Sequence, residues 1–149
     1  SGLEQHFTDA EMKAICDMAH SLGLKVAAHA HGARGILGAT VAGVDSIEHG
    51  TFIDQAGANA MKARGTYYSA TLMAFSGVQG LIGTGKLAPE SEAKARTTFE
   101  VWGKGLNLAY RTGVKIALGT DSAVAPHSEA NKEVELMCPR PRGAPATRA

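Results

Sequence analysis

Apolar and polar residues follow one another in a unit that occurs four times along the chain. In each unit a helical pattern ends at a glycine, and a short apolar run follows: LKVAAH after Gly23, VDSIEH after Gly43, TYYSAT after Gly65 and VKIALGTD after Gly113. Glycine often follows the last residue of a helix because it adopts left-handed dihedral angles without a Cβ clash. The runs are rich in β-branched and aromatic residues, which favour strands. Helices that alternate with short strands predict βαβ units and a parallel sheet.

The first helix has the clearest start signal. Thr8 and Glu11 form a capping-box pattern, in which each side chain can bond the other residue's backbone amide. Met12 and Cys16 lie on one apolar face of the helix that follows. We expect Cys16 to be a small buried apolar residue of the core.

Further helical patterns cover, in approximate numbers, residues 33–42, 55–64, 89–112 and 127–137. Gly103 and Gly105 interrupt the third of these, which is therefore kinked or split. The glycine-rich stretch 76–85 predicts a loop over one end of the sheet. After Met137 the periodicity stops, and residues 138–149, with three prolines and three arginines, predict a disordered or non-native tail behind a domain at 1–137.

Composition narrows the class of protein. The chain has 149 residues, enough for one domain, and a formal net charge of +1, which points to neither nucleic acid nor an anionic membrane as a partner. The sequence has no apolar run of the roughly 18 residues that a membrane span needs. Cys16 and Cys138 are far apart and form no CxxC pattern, which argues against a disulfide scaffold and a zinc ribbon.

Polar residues recur where the predicted strands end. His29, His49 and Thr71 each lie six residues after the preceding glycine, and Asp121 lies eight residues after its glycine. The carboxyl ends of parallel strands in an α/β barrel meet at one face, where the active site lies. Two imidazoles and a carboxylate at that face suit zinc or a similar divalent ion. From spacing alone, structural hydrogen-bonding roles and metal binding by His29, His49 and Asp121 are equal alternatives.

Three longer motifs carry a resemblance to a known family: KVAAHAHG from Lys25, AGVDSIEHG from Ala42 and GVKIALGTDS from Gly113. They resemble the imidazolonepropionase-like and Xaa-Pro-dipeptidase-like branch of the amidohydrolase superfamily, over about residues 7–137. The resemblance implies an α/β fold, a (β/α)8 TIM barrel with one or two divalent ions, zinc being the expected metal. The four parallel strands here would be the fifth to eighth of that barrel, with flanking helices.

The resemblance also implies roles for the strand-end residues. His29 and His49 would be the metal ligands of the fifth and sixth strands, and Asp121 would bind metal and move protons at the eighth. A metal ion lowers the pKa of a bound water to roughly 7, and a nearby carboxylate can carry a proton to the leaving amine. The expected function is metal-dependent hydrolysis of a C–N bond in a dipeptide, an N-acyl amino acid or a cyclic amide.

The sequence departs from the family pattern in two ways. The family's strand-one His-x-His pair and strand-four lysine are absent, and a complete barrel needs about 250 residues. A half-barrel is therefore expected, with a catalytically inactive fragment as the alternative. Its open edges and an exposed apolar inner face predict self-association or pairing with a missing N-terminal half. Amidohydrolase-type deaminases tend to carry a glutamate soon after the strand-five histidine, and its absence after His29 disfavours that second enzyme alternative.

Three further residues are candidate substrate contacts. His31 lies two residues after His29, on the same side of an extended chain, and either contacts substrate or pairs with the backbone in a loop. His127 lies in the Pro-His-Ser loop after Asp121, where a helix-start role is the alternative. Tyr68 alternates with Tyr67 across the third strand, so that one of the two faces the barrel interior.

Overall fold

A computed structural model describes residues 3–138 of the chain. Within these residues the strands are β1 (Ala27–Ala30), β2 (Ser46–His49), β3 (Tyr67–Ser69) and β4 (Lys115–Ala117). The α-helices are α1 (Asp9–Ser21), α2 (Ala33–Ala42), α3 (Gln55–Arg64), α4 (Leu72–Gln79), α5 (Pro89–Val101), α6 (Lys104–Thr112) and α7 (Lys132–Met137). A 3-10 helix at His127–Glu129 precedes α7.

The four strands of the described region form one open, entirely parallel sheet. Their spatial order, β1-β2-β3-β4, is their order along the chain, and at least one helix separates each strand from the next. This is the arrangement of four consecutive strands in a (β/α)8 barrel. The α/β fold and the partial barrel predicted from the sequence are confirmed.

The predicted helix signals agree with the structure for α1, α2 and α3. At α1 the Thr8 amide donates to the Glu11 carboxylate at 2.8 Å and the Glu11 amide donates to the Thr8 hydroxyl at 3.2 Å, which completes the capping box. Helices α2 and α3 cover the predicted residues and end at Gly43 and Gly65, both with left-handed dihedral angles. Cys16 is 1% exposed and belongs to the core, as predicted.

The long helix predicted over residues 89–112 is split, which is one of the two predicted outcomes: α5 ends at Val101 and α6 begins at Lys104. Two other predictions are wrong in part or lie outside the described residues. The predicted loop 76–85 is wrong at its start, since α4 continues to Gln79 with its first turn buried, and burial outweighs the low helix propensity of glycine. Of the predicted tail, residues 139–149 lie outside the described part of the chain.

The core lies between one face of the sheet and the helices. Ile47 and Tyr68 point to this face from β2 and β3, and Ile36 and Met61 meet them from α2 and α3; all four are at most 2% exposed. Because side chains alternate along a strand, the intervening residues point to the opposite face. None of the described helices is both long and apolar enough to cross a membrane.

The opposite face of the sheet is polar, which corrects the expectation of an apolar inner face. The strand register aligns four residues in each of two layers, namely Ala27, Ser46, Tyr67 and Lys115 in one and His29, Glu48, Ser69 and Ala117 in the next. The Lys115 ammonium lies 5.3 Å from the centroid of the Tyr67 ring, and the Ser46 hydroxyl donates to Glu48 at 2.7 Å. The strands therefore place Ile47 and Tyr68 against the helices, while most side chains on the open face are polar.

An ion network closes the amino end of the sheet. The Asp45 carboxylate, just before β2, accepts hydrogen bonds from the Lys25 ammonium at 2.7 Å and the Val26 amide at 2.9 Å. His20, near the end of α1, contacts the same carboxylate at 2.9 Å. The hydrogen bond from Lys25, followed by those from Val26 and His20, holds the pKa of Asp45 well below its usual range. This network ties α1 and the start of β1 to β2.

Candidate metal centre

Three imidazoles meet at the carboxyl end of the sheet. His29 is in β1, His31 follows that strand directly, and His49 is the last residue of β2, paired in register with Ala30. One ring nitrogen from each histidine lies within 4.8 Å of one from each of the other two. The ring centroids are 4.3 Å apart for His29 and His49, 4.7 Å for His29 and His31, and 4.9 Å for His31 and His49.

This donor set fits a divalent transition metal. Zinc binds imidazole nitrogen at about 2.0–2.1 Å, which in a tetrahedral site places nitrogen ligands roughly 3.4 Å apart. The nitrogens here lie within 4.8 Å of one another, at most about 1.4 Å beyond that value, so the rings would have to move closer together to share one ion. Three nitrogen ligands with an open fourth position are also the pattern of catalytic zinc sites.

The surroundings of His31 and His49 favour the neutral imidazole, in which one ring nitrogen has a free lone pair. Burial, with added repulsion from His49 and His29, lowers the pKa of His31 to about 4. Burial and the neighbouring His29 also lower the pKa of His49, while the charges of Asp121 and Glu48 act in the opposite direction. Neutral imidazole is the form that binds metal. His31 is therefore ready to act as a ligand at neutral pH.

Threonine hydroxyls orient two of the three rings. Thr51 Oγ1 lies 2.8 Å from Nδ1 of His31, and Thr71 Oγ1 lies 2.7 Å from Nδ1 of His49. In each pair the threonine hydroxyl is hydrogen-bonded to Nδ1 of the ring. The other ring nitrogen, Nε2, remains available to bind a metal, which is the usual arrangement around metal-binding histidines.

Tyr68 of β3 fixes the backbone of His49 by a hydrogen bond. The Tyr68 hydroxyl shares its one hydrogen between the His49 carbonyl at 3.0 Å and the Gly50 carbonyl at 3.2 Å, and the side chain is 2% exposed. A Cβ on Gly50, which has a φ of 52°, would overlap the Tyr68 ring. Burial raises the pKa of Tyr68 above its usual range, so the phenol stays protonated. Tyr68 thus supports a candidate ligand, and its proposed contact with substrate stays a prediction.

Left-handed backbone marks three of the strand-end residues that the sequence singled out. The φ angles are 70° at His49, 47° at Thr71 and 50° at Asp121. Residues other than glycine rarely adopt such angles, and they cluster at functional sites where the surrounding structure enforces them. At this end of the sheet the fold therefore holds these three polar residues in backbone conformations that cost free energy.

Asp121 and His127 lie outside the group of three imidazoles. Among residues 3–138, the ligand atoms that lie within 4.8 Å of one another do not include a carboxylate oxygen of Asp121. Asp121 is exposed, and its charge partly offsets the lowering of the pKa of His49 by burial and His29. His127 is exposed at the start of the 3-10 helix. Metal binding by Asp121 and substrate contact by His127 stay predictions.

An apolar cavity of about 470 Å³ adjoins the cluster. His31 forms part of its wall, and the Phe75 ring of α4 lies edge-on to the His31 ring with 6.2 Å between centroids. The rest of the wall is mainly aromatic or aliphatic, including Phe52, Val78 and Phe99, and Lys94 of α5 also lines it. A bound molecule could therefore place an apolar group in the cavity while it contacts the histidines.

Spacing along the sequence identified part of this arrangement. It placed His29 and His49 at one face, and the two-residue offset of His31 was the signal that brings this residue to the same side. The two threonines were missed as ring partners. Thr51 follows His49 by two residues, as His31 follows His29, so that the same offset could have identified it.

Comparisons with known proteins identify the family and agree with the fold. Residues 3–146 match the amidohydrolase family. Ochratoxinase from Aspergillus niger is 37% identical over 117 residues, which are 78% of this chain and 24% of that protein. The chain thus spans about a quarter of the length of this curated relative.

Solved structures show the same relationship. A Xaa-Pro dipeptidase with bound methionine in the active site superposes with a TM-score of 0.87 at 40% identity, over 92% of this chain and 34% of that one. The crystal structure of A. niger ochratoxinase gives a TM-score of 0.78 at 30% identity over the same shares. A prolidase complexed with N-methylphosphonate-L-proline gives 0.71 at 31% identity, over 77% and 28%. With its parallel half-sheet and the family match over nearly its whole length, the chain belongs to the amidohydrolase family.

Proposed function

We propose that this chain contributes the metal site of a hydrolase that cleaves C–N bonds with the help of a divalent ion. The observation that carries the proposal is the convergence of His29, His31 and His49 at the carboxyl end of the sheet. The names of similar proteins, a Xaa-Pro dipeptidase, a prolidase and an ochratoxinase, support hydrolysis as the reaction class.

The residues divide the work as follows. The three imidazoles hold the ion, with zinc as the expected metal because all three ligands are nitrogen. When bound by these residues, a divalent ion would supply Lewis-acid chemistry, which lowers the pKa of a water and polarises an amide carbonyl. We assign to Asp121, which is exposed and whose charge acts on His49, the role of accepting a proton from the attacking water and delivering it to the leaving amine.

The cavity beside His31 supports a substrate with an apolar side chain. Its aromatic and aliphatic wall suits a hydrophobic group, and the Lys94 ammonium can attract a carboxylate. A dipeptide or an N-acyl amino acid offers both features next to a scissile C–N bond. We therefore place these two substrate classes ahead of cyclic amides.

A chain that binds metal without catalysing hydrolysis is the second candidate. The open sheet favours it, because β1 and β4 each pair with one strand only among residues 3–138 and the polar face stays open to solvent. Such a chain would need a second polypeptide, either another copy or the rest of a barrel, to enclose a substrate.

An assay of metal-depleted and reloaded protein tests the proposal. The purified chain is treated with a chelator, reloaded with zinc, cobalt or manganese, and assayed with Xaa-Pro dipeptides and N-acyl amino acids. We expect hydrolysis that disappears with the chelator and returns with metal. Asp121→Asn should lower kcat by about 10²–10⁴-fold because the proton carrier is lost. Asp17→Asn, an exposed change on α1, is the matched control and should leave the rate unchanged.

The outcomes separate the two candidates. Zinc binding without hydrolysis of either substrate class would favour the chain that only binds metal. Hydrolysis that persists in the chelated protein would contradict a metal-dependent reaction.

A further inference from the structure

Glu133 of α7 is a fully buried carboxylate bonded to the first turn of another helix. Its side chain accepts hydrogen bonds from the Leu72 amide at 2.8 Å and the Met73 amide at 2.7 Å. These are the first two residues of α4, whose amides have no partner within their own helix. Burying a carboxylate is costly unless it is well bonded, and burial raises the pKa of Glu133 while these two amides lower it. The contact is therefore specific.

The residue that would normally cap α4 is engaged elsewhere. Thr71 precedes α4 at the N-cap position, where threonine commonly accepts from the second or third amide of the helix. Its side chain makes no such bond and faces Nδ1 of His49 at 2.7 Å instead. Glu133 supplies from α7 the acceptor that Thr71 does not provide.

The second bond of the Thr71 hydroxyl fixes the direction of the contact with His49. Thr71 Oγ1 donates its single hydrogen to the Ala70 carbonyl at 2.8 Å. Both contacts are hydrogen bonds at once only when Oγ1 accepts from the imidazole, which is the tautomer with the proton on Nδ1. The lone pair of Nε2 is then free, and this is the form that can bind a metal through Nε2.

We propose that Glu133 is a positioning residue for His49, because by holding the first turn of α4 it keeps the Thr71 hydroxyl on Nδ1. The inference rests on the proposed function, because the tautomer of His49 matters only if His49 binds a metal. The contacts that set the tautomer all lie within this chain and can be tested without metal. The series runs from α7 through α4 to the end of β2.

The tautomer of His49 can be measured without metal or substrate. Long-range ¹H–¹⁵N spectra of the metal-free chain, at a slightly alkaline pH, report which ring nitrogen carries the proton; His49→Gln assigns the signal. We expect the Nδ1–H form in the unmodified chain. In Glu133→Ala the signal should shift towards the Nε2–H form that free imidazole prefers, and the affinity for zinc should fall about 10-fold.

Matched variants separate positioning from general loss of structure. Glu135→Ala removes an exposed carboxylate from the same helix and should change neither the tautomer nor the affinity for zinc. Glu133→Gln keeps one acceptor oxygen and should retain most of the Nδ1–H form. Thr71→Val should lose that form and Thr71→Ser should keep it, so the last step of the series is tested even if Glu133→Ala does not fold.

Two results would overturn the inference. One is a folded Glu133→Ala chain whose His49 remains in the Nδ1–H form, and the other is a Thr71→Val chain in which the tautomer does not change. Failure of the proposed function looks different: the tautomer would respond as expected while none of the chains binds zinc.

Discussion

The two ends of the sheet hold histidines in opposite electrostatic settings. At the amino end, His20 shares the Asp45 carboxylate with Lys25, and positive and negative groups are in direct contact. At the carboxyl end, His31 and His49 lie against each other and His29, and burial with mutual repulsion lowers the pKa values of both. At the amino end the charges are already paired within the chain. At the carboxyl end neutral imidazoles bring their lone pairs together, an arrangement that suits an added cation.

The contrast separates structural histidines from functional ones. In α/β barrels the amino face of the sheet serves mainly stability, and the carboxyl face holds the active site. We therefore expect changes at the amino end to alter the free energy of unfolding without altering metal binding. Changes to the imidazoles at the carboxyl end should mainly weaken metal binding.

Gly50→Ala, next to His49, should give the largest loss of stability among the changes considered. The new Cβ would overlap the Tyr68 ring at a residue with φ of 52°, which we expect to cost about 2–4 kcal/mol from strain and overpacking together. Chemical denaturation of the metal-free chain measures the loss.

Gly23→Ala is the matched control at the amino end. Gly23 has a similar φ of 71° but open space around the position of a Cβ, so that only the backbone cost of about 1–2 kcal/mol remains. Equal losses in the two variants would contradict tight packing of Tyr68 beneath His49.

Asp45→Asn should have a smaller effect on stability and none on metal. The variant keeps the shape of the side chain but loses the charge that Lys25 and His20 contact, at an expected cost of about 1–2 kcal/mol. Denaturation measures the cost, and a zinc titration of the same protein should match that of the unmodified chain. Weakened zinc binding would show that the two ends of the sheet are coupled.

The pH dependence of stability should reveal the smallest effect. Since the pKa of His31 falls from 6.5 to about 4 on folding, the unfolded chain takes up a proton between these values and the folded chain does not. The contribution of His31 is complete above about pH 6.5 and is lost as the pH falls towards 4. Denaturation of the metal-free chain across this range should show a shallower decline for His31→Gln, and identical slopes would contradict a buried neutral His31.

Local signals explain why much of the fold was predictable. The glycine after each helix, the capping box at Thr8 and the alternation in β2 depend on residues close together in sequence. The strand-end offsets identified His29 and His49 for the same reason, because parallel strands bring equivalent positions to one edge.

Contacts between distant residues explain what was missed. Glu133 bonds amides that lie 60 and 61 residues earlier, and Thr71 meets His49 across 22 residues, so neither pair has a local signature. The end of α4 was predicted as a loop because Gly77 lowers the helix propensity there, whereas the packing of α4 against α7 depends on residues far away in the sequence. The polar inner face appears only when the register of all four strands is known.

Calorimetric titration of the metal-free chain with zinc measures whether the three imidazoles bind one ion together. We expect one ion per chain. His29→Ala, His31→Ala and His49→Ala should each weaken binding by more than the roughly 10–100-fold that changes around the ligands cause. His20→Ala, at the amino end of the sheet, should bind zinc as the unmodified chain does. Binding that survives His31→Ala, or that falls equally in His20→Ala, would contradict a three-imidazole site.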